Sequence, residues 1–342
     1  MLEVVETILA ESPTSDLVRL VVVPAFGWLA YRDIRTRRIP NRTWLPLAAL
    51  GVALLLWDAS RVLGGDFVLG SGGPELFFMR VALSLGLVAP IGYLFYWFGG
   101  FGGADAKALI VLAVLFPTFP TYILPHGDLP LLRTTVGVFS LTILSNTVLV
   151  GAAYPVAMAL ANAVRGHVSK VMVIAKPVPA DSLDGRYGSL METPEGYTRR
   201  GLDLDALRMY LRWRGLTLEE LRAEPDRYHD PDSVPENPNP LGDGSLGGGD
   251  GSVDHDEGVE RDEPLTPDPG DDWGAEAFLA DIEGTAYGTS PEGLRDGLEV
   301  VTSEETVWMT PGTPFLVPMF GGLLVSLVYG DLLVRLIALV VG

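Results

Sequence analysis

Phe98-Gly-Gly-Phe-Gly-Gly-Ala-Asp-Ala-Lys107 leads into an apolar segment that runs on to about Phe116 or Ile123, and it sets one carboxylate, Asp105, at the mouth of that segment. A charged group there is costly, so it calls for a partner or a chemical role. Gly99, Gly100, Gly102 and Gly103 crowd its approach. Glycine admits positive φ and lets a second backbone come close, as a site that receives a peptide requires. A second carboxylate, Asp33, follows an earlier apolar segment, within Tyr31-Arg-Asp-Ile-Arg-Thr-Arg-Arg-Ile-Pro-Asn41.

Outward from these two stretches the chain divides into apolar and acidic material. Mean hydropathy is +0.29, yet the 342 residues carry a formal charge of −19. Residues Arg165 to Glu305 hold 32 acidic and 13 basic side chains, while the remainder balances at 11 of each. The apolar part reads as a membrane domain and the acidic part as a water-exposed insertion. Apolar stretches at about 17–31, 43–62, 76–98, 106–116, 135–164 and 313–341 predict a polytopic α-helical membrane protein of six transmembrane helices, the insertion lying between the fifth and sixth. The expected divisions are 1–164, 165–312 and 313–342. Residues 1–16 form a mildly acidic leader without the basic start or small-residue cleavage site of a signal peptide.

Local features refine the spans. Arg19 is expected to snorkel outward and Pro24 to kink the first helix. Tyr93, Phe95, Tyr96, Trp97 and Phe98 read as an interfacial belt. Pro117 and Pro120 end or bend the fourth span, and Asp331 and Arg335, four apart, are spaced to pair. The link between the first two spans carries Arg32, Arg35, Arg37, Arg38 and Arg42, and short arginine-rich loops stay in the cytoplasm. Counting helices from there puts Asp33, Asp105 and the insertion all on the cytoplasmic side.

Within the insertion, Val171 to Ala175 reads as a strand and Leu202 to Glu224 as one or two helices, with Leu204, Leu207, Tyr210 and Leu211 as an apolar stripe. Thr217 and Glu220 resemble a capping box. Asp230 to Asp272 is rich in Asp, Gly, Pro and Ser and is expected to be a disordered linker. Trp273 to Ile282 reads as helix and Leu298 to Met309 as extended, completing a small α+β module. The acids are spread through low-complexity sequence, which favours a surface adapted to high salt over one that attracts a basic partner.

No cysteine is present, which excludes disulfides, iron–sulfur clusters and thiol catalysis. No cofactor or metal is expected, and an acidic insertion does not suit nucleic acid. Two carboxylates within hydrogen-bond reach can hydrolyse a peptide unaided, because they do not readily ionise together: one activates water and the other protonates the carbonyl. Each aspartate also has a plainer reading, Asp33 as a topology marker among arginines and Asp105 as an N-cap. Lys107 either holds Asp105 ionised or anchors the interface.

Both stretches, together with Trp308-Met-Thr-Pro-Gly-Thr-Pro-Phe-Leu-Val-Pro318, resemble the archaeal type IV prepilin peptidases, including preflagellin peptidases, membrane aspartic proteases with a Gly-x-Gly-Asp motif. The resemblance implies Asp33 and Asp105 as the catalytic pair, with Gly102, Gly103, Ala104 and Lys107 forming the loop the substrate approaches. It implies precursor pilins and archaellins as substrates, their short positive leaders removed at the cytoplasmic face. Ala104 stands where the family has glycine, which bears on the turn geometry. The bacterial relatives' cysteine-rich segment is missing, so peptidase activity without methylation is expected. The competing readings are a presenilin-like or signal-peptide-peptidase-like intramembrane protease, whose Pro-Ala-Leu motif is absent, and a transporter or non-catalytic assembly scaffold. Oligomeric state is not specified by the sequence.

Overall fold

In lipid a helix satisfies its own backbone groups, and the apolar stretches are helical in the computed structural model, which describes residues 2–65, 73–98, 101–199, 201–246, 268–282, 286–312 and 314–341. The elements up to the insertion are α1 (Leu2–Glu11), α2 (Thr14–Arg19), α3 (Val22–Thr36), α4 (Trp44–Leu63), α5 (Pro74–Leu83), α6 (Ala89–Trp97), α7 (Gly103–Leu115), β1 (Tyr122–Leu124), β2 (Gly127–Leu129) and α8 (Phe139–Val164). Then come β3 (Lys176–Pro179), β4 (Ser189–Leu190), β5 (Glu192–Thr193), β6 (Gly196–Tyr197), α9 (Leu204–Arg214), α10 (Leu218–Ala223), α11 (Pro225–His229), α12 (Ala275–Ala280), α13 (Pro291–Ser303), β7 (Thr306–Thr310), α14 (Leu316–Val328) and α15 (Leu332–Val341). Two compact units result, 1–154 with 314–342, and 155–313.

Three stretches, Asn41–Leu63, Pro74–Trp97 and Phe139–Val164, are long and apolar enough to cross a membrane. They mark the chain as a membrane protein. The second of them is a composite: α5 and α6 are joined by a π-helical turn at Ser84–Val88, just ahead of Pro90, which has no N–H to continue the ladder. Ser84, in that turn, donates its hydroxyl to the Ala113 carbonyl of α7 at 2.7 Å.

The first, fourth and sixth expected spans take other forms. The first breaks at Leu20 and Val21 into α2 and α3, immediately before Pro24. Arg19 does not reach outward; it is 3% exposed and donates to Asp16 at 2.8 Å, Asp58 at 2.6 Å and the Leu115 carbonyl at 2.7 Å. Two carboxylates within reach offset the cost of burying its charge, so pairing inside replaces snorkelling.

The fourth, α7, is the hub. Seven of its thirteen residues are buried, and it packs against α4 and α6. At about 20 Å it is shorter than the hydrocarbon core. The chain continues past Pro117 as irregular backbone, with Phe116, Phe119 and Thr121 buried, the condition under which such backbone is tolerated at membrane depth.

The sixth is two helices. Gly330 turns the chain at φ 97°, and a Cβ there would collide with the Leu132 carbonyl. Asn146, fully buried on α8, repairs the break by donating to the Gly330 carbonyl at 2.7 Å and accepting from the Leu332 N–H at 3.1 Å. Asp331 accepts from the Thr142 hydroxyl at 2.8 Å and caps the Val334 N–H at 3.0 Å, rather than serving as the expected partner of Arg335.

In the second unit β7 lies between β3 and β4, antiparallel to both. Residues 171–174 are a turn and not the expected strand, which lies instead at 176–179. α9 carries the expected stripe, and Tyr210, Trp213 and Phe278 form the centre of the core with ring centroids 5.4–6.3 Å apart. The capping box forms: the Glu220 N–H donates to the Thr217 hydroxyl, and the Glu220 carboxylate accepts from the Thr217 N–H. Residues 298–303 are helical, as the last turns of α13, because Leu294, Leu298 and Val301 recur at helical spacing and are buried. The linker reading also fails for 230–246. Val234 is buried, Asn239 donates its N–H to the Trp213 carbonyl at 3.0 Å, and Asp271, at the far end, is buried and accepts from the Glu276 and Ala277 N–H groups. Residues 247–267 lie outside the described residues.

Candidate active site

Asp33 sits on α3 in register with Val22, Phe26, Leu29 and Ala30, the buried face of that helix. An apolar side chain is what that register calls for, so a carboxylate there is more than a marker of topology. α3 ends at Arg37, whose backbone is left-handed at φ 54° and whose N–H donates to the Asp33 carbonyl at 3.0 Å. A non-glycine residue adopts that conformation at a cost. The Thr36 hydroxyl closes the turn by donating to the Arg38 carbonyl at 3.0 Å. Facing Asp33 is the start of α14, where the Leu316 N–H hydrogen-bonds its carboxylate, and α14 itself packs against α3.

Asp105 is the third residue of α7 and its carboxylate accepts from the N–H of Gly102, the residue that caps the helix, at 3.0 Å. The N-cap reading is therefore corrected by three residues: Asp105 reaches back to the cap and is not the cap. Gly102 has φ −67° and Gly103 is helical, so neither supplies the positive φ that the sequence suggests. What Gly102 supplies is room, because a Cβ there would lie 3.0 Å from the Asp105 Oδ2. Ala104 occupies the second helical position, where a Cβ is at home, so its departure from glycine imposes no backbone strain. Gly99 and Gly100 lie outside the described residues.

The two carboxylates, each just beyond the apolar stretch it abuts, sense one another. Burial lifts Asp33 above its ordinary value, opposed by the Arg37 guanidinium and the Leu316 N–H. Burial pushes Asp105 up to about 6, and the charge of Asp33 adds to the rise, while the Gly102 N–H and Arg37 oppose it. Arg37 is thus electrostatically coupled to both. The Lys107 ammonium donates to the Asn41 side-chain oxygen at 2.5 Å, and Lys107 is not among the groups that act on Asp105. That bond ties the start of α7 to the 3₁₀ turn Asn41–Thr43, and so ties one aspartate-bearing stretch to the other. Phe101 stacks between Phe95 and Phe315, with centroids 5.0 and 4.7 Å away, next to the Leu316 terminus. Arg37, Phe101 and Phe315 had no distinguishing pattern in the sequence, apart from one arginine among five and two aromatic rings among many. Among the described residues no group of His, Asp or Glu side chains is arranged to hold a metal ion.

The Leu316 N–H and Arg37 oppose the rise that burial imposes on the Asp33 carboxyl, and Asp105, pushed up to about 6, keeps its proton to higher pH than a free carboxyl does. Such a pair can relay protons between a water and a carbonyl. The type IV leader peptidase family model matches residues 20–156, which include Asp33, Asn41, Asp105 and Lys107. The model for the archaeal peptidase A24 C-terminus, type II, matches residues 290–332, which include Phe315 and Leu316. Together the matched stretches take in more than half of the chain. No curated protein matches the sequence.

Proposed function

The chain belongs to the type IV leader peptidase family, and from that premise we propose that it is a membrane-embedded aspartic endopeptidase with Asp33 and Asp105 as its catalytic dyad. It removes the short, positively charged leaders of type IV pilin and archaellin precursors at the cytoplasmic face. Six membrane crossings carry the site, with the acidic segment 165–312 as a cytoplasmic insertion. The five arginines between Arg32 and Arg42 support that orientation. The observation that carries the reading is that the charge of Asp33 acts on the partly desolvated carboxyl of Asp105, with Arg37 acting on both.

The form that acts carries one proton on the pair, and we place it on Asp105, whose carboxyl is pushed up to about 6. Asp33 takes a proton from water as the water oxygen attacks the scissile carbonyl, and Asp105 gives its proton to the carbonyl oxygen. Collapse of the tetrahedral diol breaks the C–N bond: the amine leaves with the proton that Asp33 had gained, and Asp105 recovers its own. This is general acid–base catalysis by a pair that titrates as a unit. Gly102, Gly103 and Ala104 keep the approach to Asp105 low in side-chain bulk, and Lys107 positions that stretch by holding Asn41.

Co-expression with a pilin or archaellin precursor reads the activity as a mobility shift on a gel. Asp33→Asn and Asp105→Asn are each expected to abolish processing while the protein still accumulates in the membrane. A loss of more than a thousandfold corresponds to about 4 kcal/mol of transition-state stabilisation. Retained processing in both variants would remove the dyad.

A further inference from the structure

Among the described residues of the acidic insertion, few large apolar side chains stand exposed. Between residues 165 and 313 the described ones that stand exposed are Val168, Val173, Ile174, Tyr197 and Tyr287. Three of the five fall within eight residues of one another, directly after the membrane-crossing helix α8 ends at Val164. The charge in that stretch is inverted as well. Residues 165–176 carry Arg165, Lys170 and Lys176 with no acid, whereas 177–305 carry 32 acids and 10 bases.

The stretch is not a loose tail. Asn162, buried on the last turn of α8, donates through its side-chain amide to the carbonyls of Met172 and Ala175, both at 2.8 Å. Val171 and Ala175 face inward onto Met191 and Trp308. With those two residues inside, the turn holds Val173 and Ile174 outward at 45% and 42% exposure, beside Val168 at 76%. A water-facing surface does not call for a fixed platform that presents valine and isoleucine next to lysine.

We infer that residues 165–176 form a membrane-surface foot, in which Val168, Val173 and Ile174 enter the headgroup region of the bilayer while Arg165, Lys170 and Lys176 meet anionic lipid headgroups. Apolar side chains flanked by cations are the chemistry of an interfacial contact, and cations near an anionic surface strengthen it. Continuity with α8 names the occupant, since the stretch begins where a membrane-crossing helix ends. The foot makes the one basic part of an otherwise acidic insertion the part that meets an anionic surface, where the rest is repelled. The inference rests on the membrane reading of α8 and not on the peptidase activity.

Because the chain has no cysteine, single-cysteine labelling tests it directly. Val173→Cys and Ile174→Cys, each carrying an environment-sensitive dye, would be placed in the full-length protein in nanodiscs containing nitroxide-bearing lipids. Tyr197→Cys, also exposed in the same unit, serves as the reference. Dye at 173 and 174 is expected to be quenched at least threefold more than dye at 197 in discs with anionic lipid. Lys170→Glu combined with Lys176→Glu is expected to bring that quenching down towards the reference. Equal quenching at all three positions overturns the foot. Quenching at 173 and 174 that is the same in neutral and anionic discs overturns the headgroup pairing. No substrate enters the measurement, so a failed processing assay leaves its result intact.

Discussion

Asp105→Asn is expected to inactivate the protein and at the same time stabilise it, by an amount that depends on pH. Burial and the neighbouring Asp33 charge push the Asp105 carboxyl from 3.8 to about 6, a preference for the protonated form of about 3 kcal/mol. The carboxyl is only half-buried, and screening by solvent reduces this to about 1–2 kcal/mol. The sign follows from proton counting. Between the unfolded value and the folded one, the folded state binds more protons, so its stability falls as pH rises through that window and the loss is complete above about pH 7. Asparagine is a permanent stand-in for the protonated group and its side-chain oxygen still accepts from the Gly102 N–H, so the variant escapes the loss. Thermal unfolding in nanodiscs, run from about pH 4.5 to pH 8, should show the two proteins melting close together at the acid end. At the alkaline end the variant should melt roughly 2–5 °C higher. Groups not coupled to Asp105 are common to both proteins and cancel in the difference. A gap that is independent of pH, or that widens towards acid, would refute the reasoning that this carboxyl is held protonated by its surroundings.

Arg37→Gln removes a cation that lowers both carboxyls, so the alkaline limb of the kcat/KM profile on a precursor peptide should move to higher pH; a move towards acid would remove Arg37 from the site. Gly102→Ala places a methyl 3.0 Å from the Asp105 Oδ2 and should cost roughly tenfold in processing, about 1.4 kcal/mol. Gly103→Ala, whose methyl meets the Tyr96 ring at an ordinary 3.7 Å, should be tolerated, and the same gel assay compares the two. Asn146→Ala strands the Gly330 carbonyl and the Leu332 N–H inside the helix bundle and should destabilise by about 2–4 kcal/mol, read as a lower melting temperature.

Much of this was legible in the chain before any coordinates. The apolar stretches, the stripe on α9, the Thr217–Glu220 box and the two aspartates each rest on local spacing, and local spacing is what a sequence displays. What escaped depends on partners far along the chain. Val171 to Ala175 has the β-branched look of a strand, but Asn162 claims its carbonyls and folds it into a turn. Arg19 resembles a snorkelling cation until Asp58, 39 residues on, is brought against it. The breaks at Leu20–Val21 and at Gly330 come from backbone needs that Pro24 hints at and Gly330 does not, since one glycine among 40 carries no signal. Residues 230–246 are polar enough to read as linker, and their order comes from contacts with α9 that composition does not reveal.

Two short motifs point to the candidate site, and the surroundings of its carboxylates are not legible in them. A carboxylate at a membrane boundary is costly, and here each one is set against the N-terminus of a helix. Asp105 is in the first turn of its own helix, bonded to the Gly102 N–H, and Asp33 lies across from the first turn of α14, bonded to the Leu316 N–H. Each N-terminus carries about half a positive charge, and Arg37 at the end of α3 adds a whole one. That positive charge opposes the rise that burial imposes on both carboxyls, and Asp105 is still pushed up to about 6. The two aspartates and the loop at 102–107 lie in one matched stretch, but the helix end that stabilises Asp33 comes from the other, about 280 residues later. A chain cut after α8 would therefore keep both aspartates and lose the Leu316 N–H that opposes the upward shift of Asp33. α14 is thus part of the setting of Asp33 and not merely a closing span.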